Sequence, residues 1–131
     1  MSGRRVYVDT SALAALLLDE PHRAAVISWL DGTDAELVSG DLLETELRRL
    51  AVREGIDQAR VTRLLDGVAL AALDRAVYRG AGMLPIPGLR SLDALHLETA
   101  LRLDVDAMLT YDHRLAGAAQ AVGLTVVVPD D

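Results

Sequence analysis

Four carboxylates stand at or beside what read as the carboxyl ends of strands: Asp9 in VYVDTSAL, Glu46 in ETELRRL, Asp93 in SLDALHL and Asp112 in LTYDHRL. A β/α chain that repeats an acid along one sheet edge gathers negative charge, and the carboxylates raise one another's pKa unless a cation offsets them. Oxygen-only ligands suit hard ions such as Mg²⁺ or Mn²⁺, which use one or two carboxylates each and keep several waters. A metal-held water loses its proton more readily, and the ion neutralises charge on a leaving oxygen, which suits phosphodiester hydrolysis. Four carboxylates suffice for one ion or two.

Each acid has a plainer use as well. Asp9 follows Val6-Tyr7-Val8 and could cap the next helix. Thr10 or Ser11 is also placed to do so, which leaves Asp9 free for another role. On the helix opened by Asp41, Leu43, Leu47 and Leu50 form the buried stripe. Glu46 falls about 65° from its centre and Glu44 about 95° on the other side. Asp41 and Glu44 have the spacing of a capping box, so Glu44 has a local use and Glu46 has none. An ionised carboxylate near a core edge is costly unless paired or coordinated, which singles out Glu46. Asp93 in a first helical turn is stabilised by the helix dipole, and Asp112 could be an N-cap, so these two gain meaning from the other acids. His96, flanked by Leu95 and Leu97, reads as structural and His113 as exposed. No HxxxH or HExxH spacing supports zinc.

The elements that position these acids alternate. Strand patterns at Arg5–Val8, Leu37–Ser39, Ala107–Thr110 and Thr125–Val128 are separated by helical stretches. Val68–Leu73 could prolong a helix, but Asp66-Gly67 before it and Asp74 after it favour a short strand. The helices are expected over Ala12–Leu18, His22–Leu30, Asp41 to Gly55, Asp57–Asp66, Asp74–Gly80, Leu92–Leu103 and Asp112–Val122, with Ser91 capping the sixth. Gly82–Arg90, with two prolines, reads as a loop. Such alternation predicts a parallel sheet with helices on both faces and a site beyond the strand carboxyl ends.

The 131 residues suit one domain, 1–131, and no apolar run approaches the roughly 20 residues of a membrane span. There is no cysteine and no signal-like opening, so a cytoplasmic protein is expected. Net charge is −7, with thirteen Arg and no Lys, which opposes non-specific polyanion binding by the overall field. A nuclease stays open, because bound cations reverse the sign locally. Arg48, Arg49, Arg53, Arg60 and Arg63 form a basic run that either follows a nucleic-acid backbone or is a solvated face with pairs such as Glu44–Arg48.

The segments VDTSAL, ETELRRL, LDALHLETA and LTYDHRL, in this order and covering nearly the whole chain, resemble the PIN-domain family and its VapC-type toxin ribonucleases of VapBC toxin–antitoxin modules. The resemblance implies a three-layer α/β/α fold with a mostly parallel sheet of about five strands. It implies that Asp9, Glu46, Asp93 and Asp112 are the catalytic, metal-binding quartet for Mg²⁺ or Mn²⁺. Thr10 or Ser11 and Thr110 match the supporting hydroxyls. The implied activity is endoribonuclease cleavage leaving a 5′-phosphate and a 3′-hydroxyl, with Arg48, Arg49 and Arg53 as candidate RNA contacts. Implied partners are RNA, a VapB-type antitoxin whose C-terminal segment packs into an apolar groove, and a second copy of the chain meeting leucine-rich surfaces of the middle helices. Many relatives carry a further acid shortly after the fourth; here the stretch reads His113-Arg114-Leu115-Ala116-Gly117.

Other strand–Asp families fit less well. A haloacid-dehalogenase-type phosphatase needs Asp where Ser11 stands, and a receiver domain needs a late Lys in a chain that has none. The rival of a different class is a PIN scaffold that binds a protein without catalysis.

Overall fold

Val6, Tyr7 and Val8 are fully buried because their strand, β1 (Arg5–Val8), lies at the centre of the sheet. The computed structural model describes residues 3–130. From β1 the chain enters α1 (Thr10–Leu17) and α2 (Arg23–Gly32), then β2 (Glu36–Gly40). Next come α3 (Leu42–Glu54), α4 (Gln58–Leu65) and β3 (Ala69–Ala71). The remainder is α5 (Arg75–Gly82), α6 (Ser91–Arg102), β4 (Ala107–Leu109), α7 (His113–Ala121) and β5 (Thr125–Val127).

The five strands run parallel in the order β3-β2-β1-β4-β5. The chain builds outward from β1 to β3, then crosses back to place β4 on the other side of β1. The β1–β4 boundary is therefore the switch point at which open parallel sheets hold their ligands. Register sets Tyr7 between Val38 and Met108, and Val8 beside Leu109, so the two strands end level and deliver Asp9 and Thr110 to the same edge.

The period of two along β1 sorts its side chains between two cores. Val6 and Val8 pack with Leu13, Leu43, Leu47 and Val61 from α1, α3 and α4. Tyr7 packs with Leu97, Ala100, Leu115 and Ala119 from α6 and α7. Both faces are covered, giving the expected three-layer α/β/α arrangement and explaining the near-continuous apolar strands. α3 stops at Gly55, whose φ of 69° lies in the left-handed region that glycine occupies without a Cβ penalty.

Three capping expectations are corrected. Asp9 is itself the N-cap of α1, its Oδ1 accepting from the Ala12 amide at 3.2 Å, and Thr10 and Ser11 are the first helical residues. Asp41 makes no side-chain cap bond and the capping box does not form; Glu44 instead accepts from Arg48 at 2.8 Å, one turn along. Arg90, in extended conformation, precedes α6, so Ser91 is its first residue and not its cap. Asp57, Asp74 and Asp112 do cap α4, α5 and α7.

Candidate active site

Asp9 closes β1, is only 4 % exposed, and accepts four hydrogen bonds from three donors. Ser11 Oγ lies 2.8 and 3.0 Å from its two oxygens, Thr110 Oγ1 donates to Oδ2 at 2.8 Å, and the Ala12 amide completes the set. The hydroxyls are aimed by the backbone beyond β4: the Tyr111 amide donates to Ser11 Oγ at 2.9 Å and the Asp112 amide to Thr110 Oγ1 at 3.0 Å. Burial still dominates and pushes the Asp9 carboxyl up; Ser11, Thr110, His96 and the Ala12 amide draw it back only in part.

Glu46 comes from the second turn of α3 and is partly buried, its side chain 23 % exposed. One of its oxygens, Oε1, accepts from Thr10 Oγ1 at 2.7 Å and faces His96 Nε2 at 2.6 Å. Burial alone would raise this carboxyl, but the His96 hydrogen bond and charge, with the Thr10 hydroxyl, outweigh it and hold it below the usual range. The two hydroxyls beside Asp9 thus divide their work. Thr10 serves Glu46 and Ser11 serves Asp9.

Asp93 lies in the first turn of α6, partly buried. Burial raises its carboxyl first and the negative charge of Asp112 raises it further, more than His96 and Arg90 lower it. Asp112 caps α7 through Oδ1, which accepts from the amides of Arg114 and Leu115 at 2.9 and 3.1 Å. Its plain use at a helix start is real and coexists with an electrostatic coupling to Asp93. All four acids therefore come to the carboxyl edge of the sheet, Asp9 and Asp112 from strand ends and Glu46 and Asp93 from helix starts.

His96 and Tyr7 belong to this site, although the sequence reading gave His96 only a structural part and Tyr7 none. The His96 side chain is 3 % exposed and sits between the Tyr7 hydroxyl, 2.6 Å from Nδ1, and Glu46. A signal was present: Asp93 and His96 are three apart on one helix and so share a face. His113 is exposed, as expected. His22 stacks on Tyr111 at the rim, ring centroids 4.1 Å apart, a contact between distant residues that spacing does not reveal.

A groove of about 560 Å³ opens beside Glu46, lined by Thr10, Ala14, Leu18, Leu42, Leu50 and Leu92, with Arg49 and Arg53 at its side. The basic run is thereby split. Arg48 is held in the fold by Glu44, Gln58 and Thr62, whereas Arg49 and Arg53 are exposed along the groove. A second hollow, between the 83–90 loop and α5–α6, includes none of the four acids.

The donor set is all carboxylate and hydroxyl, the chemistry of a hard-cation site. Mutual repulsion at Asp93 and Asp112, beside buried Asp9, is the electrostatic condition that a cation relieves. Among the described residues, no three acid or imidazole groups already converge as a closed coordination cluster. Two carboxylates have one oxygen committed, Glu46 Oε1 to Thr10 and His96 and Asp112 Oδ1 to α7, which leaves Oε2 and Oδ2 for a ligand.

Comparison with known proteins agrees with this architecture. Residues 6–121 match the PIN domain family model. The chain is 35 % identical over 131 residues to Ribonuclease VapC47 of Mycobacterium tuberculosis, covering 95 % of this chain and 96 % of that protein. Among solved structures, it superposes on VapC20 of Mycobacterium tuberculosis, described as a sarcin-ricin loop cleaving toxin, with a TM-score of 0.76 at 16 % identity, covering 95 % and 99 % of the two chains. A toxin–antitoxin complex from Klebsiella pneumoniae gives 0.75 at 17 % identity, covering 96 % and 98 %. The chain belongs to the PIN-domain family, in its VapC group.

Proposed function

We propose that this protein is a Mg²⁺- or Mn²⁺-dependent endoribonuclease, the toxin of a type II toxin–antitoxin module. The observation that carries the reading is the gathering of four acids at the β1–β4 switch point, with Asp93 pushed up by burial and by Asp112, and Asp9 buried between hydroxyls. VapC47, the relative at 35 % identity, is named a ribonuclease, and that name supports the same reading here. Asp9, Glu46, Asp93 and Asp112 would hold the cation, which when bound supplies Lewis-acid activation of water and of the scissile phosphate. Ser11 and Thr110 orient Asp9, and Thr10 orients Glu46. Arg49 and Arg53, exposed beside the acids, would contact RNA phosphates.

The apolar groove next to Glu46 is the surface on which the segment of a VapB-type antitoxin would lie, its basic groups drawn to a chain of net charge −7. The solved toxin–antitoxin complex of the same fold supports such a partner. A homodimer is part of the reading and is checked by light scattering. A cytoplasmic location is part of the same reading; among the described residues no helix is long and apolar enough to cross a membrane.

The test is cleavage of structured RNA by antitoxin-free protein in Mn²⁺. The expected result is cutting that stops with chelator and with Asp9→Asn; cutting that survives both overturns the assignment. A second reading, a protein-binding module without hydrolysis, is favoured by the lack of a closed ligand cluster among the described residues. It predicts no cleavage and no thermal response to Mg²⁺.

A further inference from the structure

A buried polar chain links β1, α6 and α3: Tyr7 Oη to His96 Nδ1 at 2.6 Å, then His96 Nε2 to Glu46 Oε1 at 2.6 Å. Tyr7 is fully buried and His96 nearly so, and their rings meet edge-on at 5.7 Å and 76°. If the pair served only to fill the core, phenylalanine and leucine would do so without burying polar atoms. Instead every buried side-chain nitrogen and oxygen among the described residues has a hydrogen-bond partner.

The direction of the chain follows from donor and acceptor capacity. A carboxylate can only accept, so the hydrogen between His96 Nε2 and Glu46 Oε1 stands on Nε2. The neighbouring Ser39 hydroxyl is committed to the Val8 carbonyl at 2.7 Å. The Tyr7 hydroxyl, 2.6 Å from Nδ1, holds the other end of the ring. Oε1 therefore receives two donors, His96 and Thr10. No hydrogen bond from a described residue reaches Oε2.

We propose that His96 is a positioning residue: held at Nδ1 by Tyr7, it clamps Glu46 together with Thr10 by Oε1, so that Oε2 is the oxygen offered to a cation. This rests on the cation-dependent reading above. The clamp removes the freedom of a long, flexible side chain before any ligand arrives, and it ties the two helical layers together at the point of chemistry.

The experiment uses the full-length protein. In the metal-free state, long-range ¹H–¹⁵N correlation of His96 is expected to show hydrogen on Nε2, in the wild type and in Tyr7→Phe alike. Calorimetry with Mn²⁺ is expected to show affinity lowered about 10–100-fold by His96→Leu, the usual effect of removing a group that orients a ligand. His96→Gln, whose amide nitrogen takes the place of Nε2 and still donates, is expected to stay within about threefold of wild type. On RNA, His96→Leu should lower kcat and leave KM near its original value.

A wild-type imidazole with no hydrogen on Nε2 overturns the proposal. So does a folded His96→Leu protein that binds Mn²⁺ as wild type does, or a His96→Gln protein as impaired as His96→Leu. Wild-type protein that binds no Mn²⁺ overturns the proposal as well, whereas protein that binds Mn²⁺ with the expected variant pattern yet cuts no RNA would remove the ribonuclease reading alone.

Discussion

Thr110 donates to Asp9 Oδ2 across 2.8 Å, joining residues 101 positions apart at the ends of β1 and β4. The same Thr110 hydroxyl receives the Asp112 amide, so one side chain links two members of the acid quartet. Thr110→Val keeps the shape and removes both bonds. The expected cost is about 1–3 kcal/mol in urea unfolding without metal, because a buried carboxylate and an amide each lose a partner. Calorimetric Mn²⁺ affinity should fall with it. A change below a few tenths of a kcal/mol would mean the bond contributes little.

Metal-free stability should depend on pH, and the signs oppose one another. Asp9 and Asp93 are held above the usual carboxylate range, so the folded protein binds their protons more tightly than the unfolded chain; their contribution is favourable at low pH and is lost as pH rises through the folded pKa. Glu46 is held below its usual value, so its contribution is present above the unfolded pKa and lost as pH falls through the folded one. Above the ordinary carboxylate range Glu46 no longer titrates, so the melting temperature in chelator should fall as pH rises from there through the folded pKa of Asp9 and Asp93. Mg²⁺ should flatten the fall. Asp93→Asn should raise the melting temperature in chelator and reduce the gain from Mg²⁺.

Glu44 and Glu46 lie two positions apart on α3 and should behave oppositely. Glu44 makes an exposed pair with Arg48, so Glu44→Ala should cost no more than about 0.5 kcal/mol and leave Mn²⁺ titrations unchanged. Glu46→Gln should abolish cleavage and weaken Mn²⁺ binding at least tenfold, on the order expected for a lost charged ligand. Equal effects of the two substitutions on calorimetric affinity would contradict the site.

The arginine run should divide in the same manner. Arg49→Ala and Arg53→Ala are expected to weaken RNA binding across sequences and to lower the slope of log affinity against log salt by about 0.7 per lost phosphate contact to single strands. Arg48→Ala should leave the slope unchanged and lower stability instead, since it releases Glu44, Gln58 and Thr62. Binding assays at several salt concentrations separate the two outcomes.

Much of the molecule was legible in local sequence. Alternating strand and helix patterns determined the parallel α/β class, because hydrophobic period is a property of neighbouring residues. The leucine stripe of α3 placed Glu46 nearer the core than Glu44 for the same reason. Cap assignments failed at Asp9, Asp41 and Ser91, where several neighbouring residues could offer an oxygen and backbone angles decided which one did. What only the tertiary structure decided is who meets whom at the sheet edge. Thr110 on Asp9, Thr10 on Glu46, and Tyr7 and His96 behind them are contacts of residues 36 to 101 positions apart. Strand order and register create those contacts, and no periodicity within a single element records them.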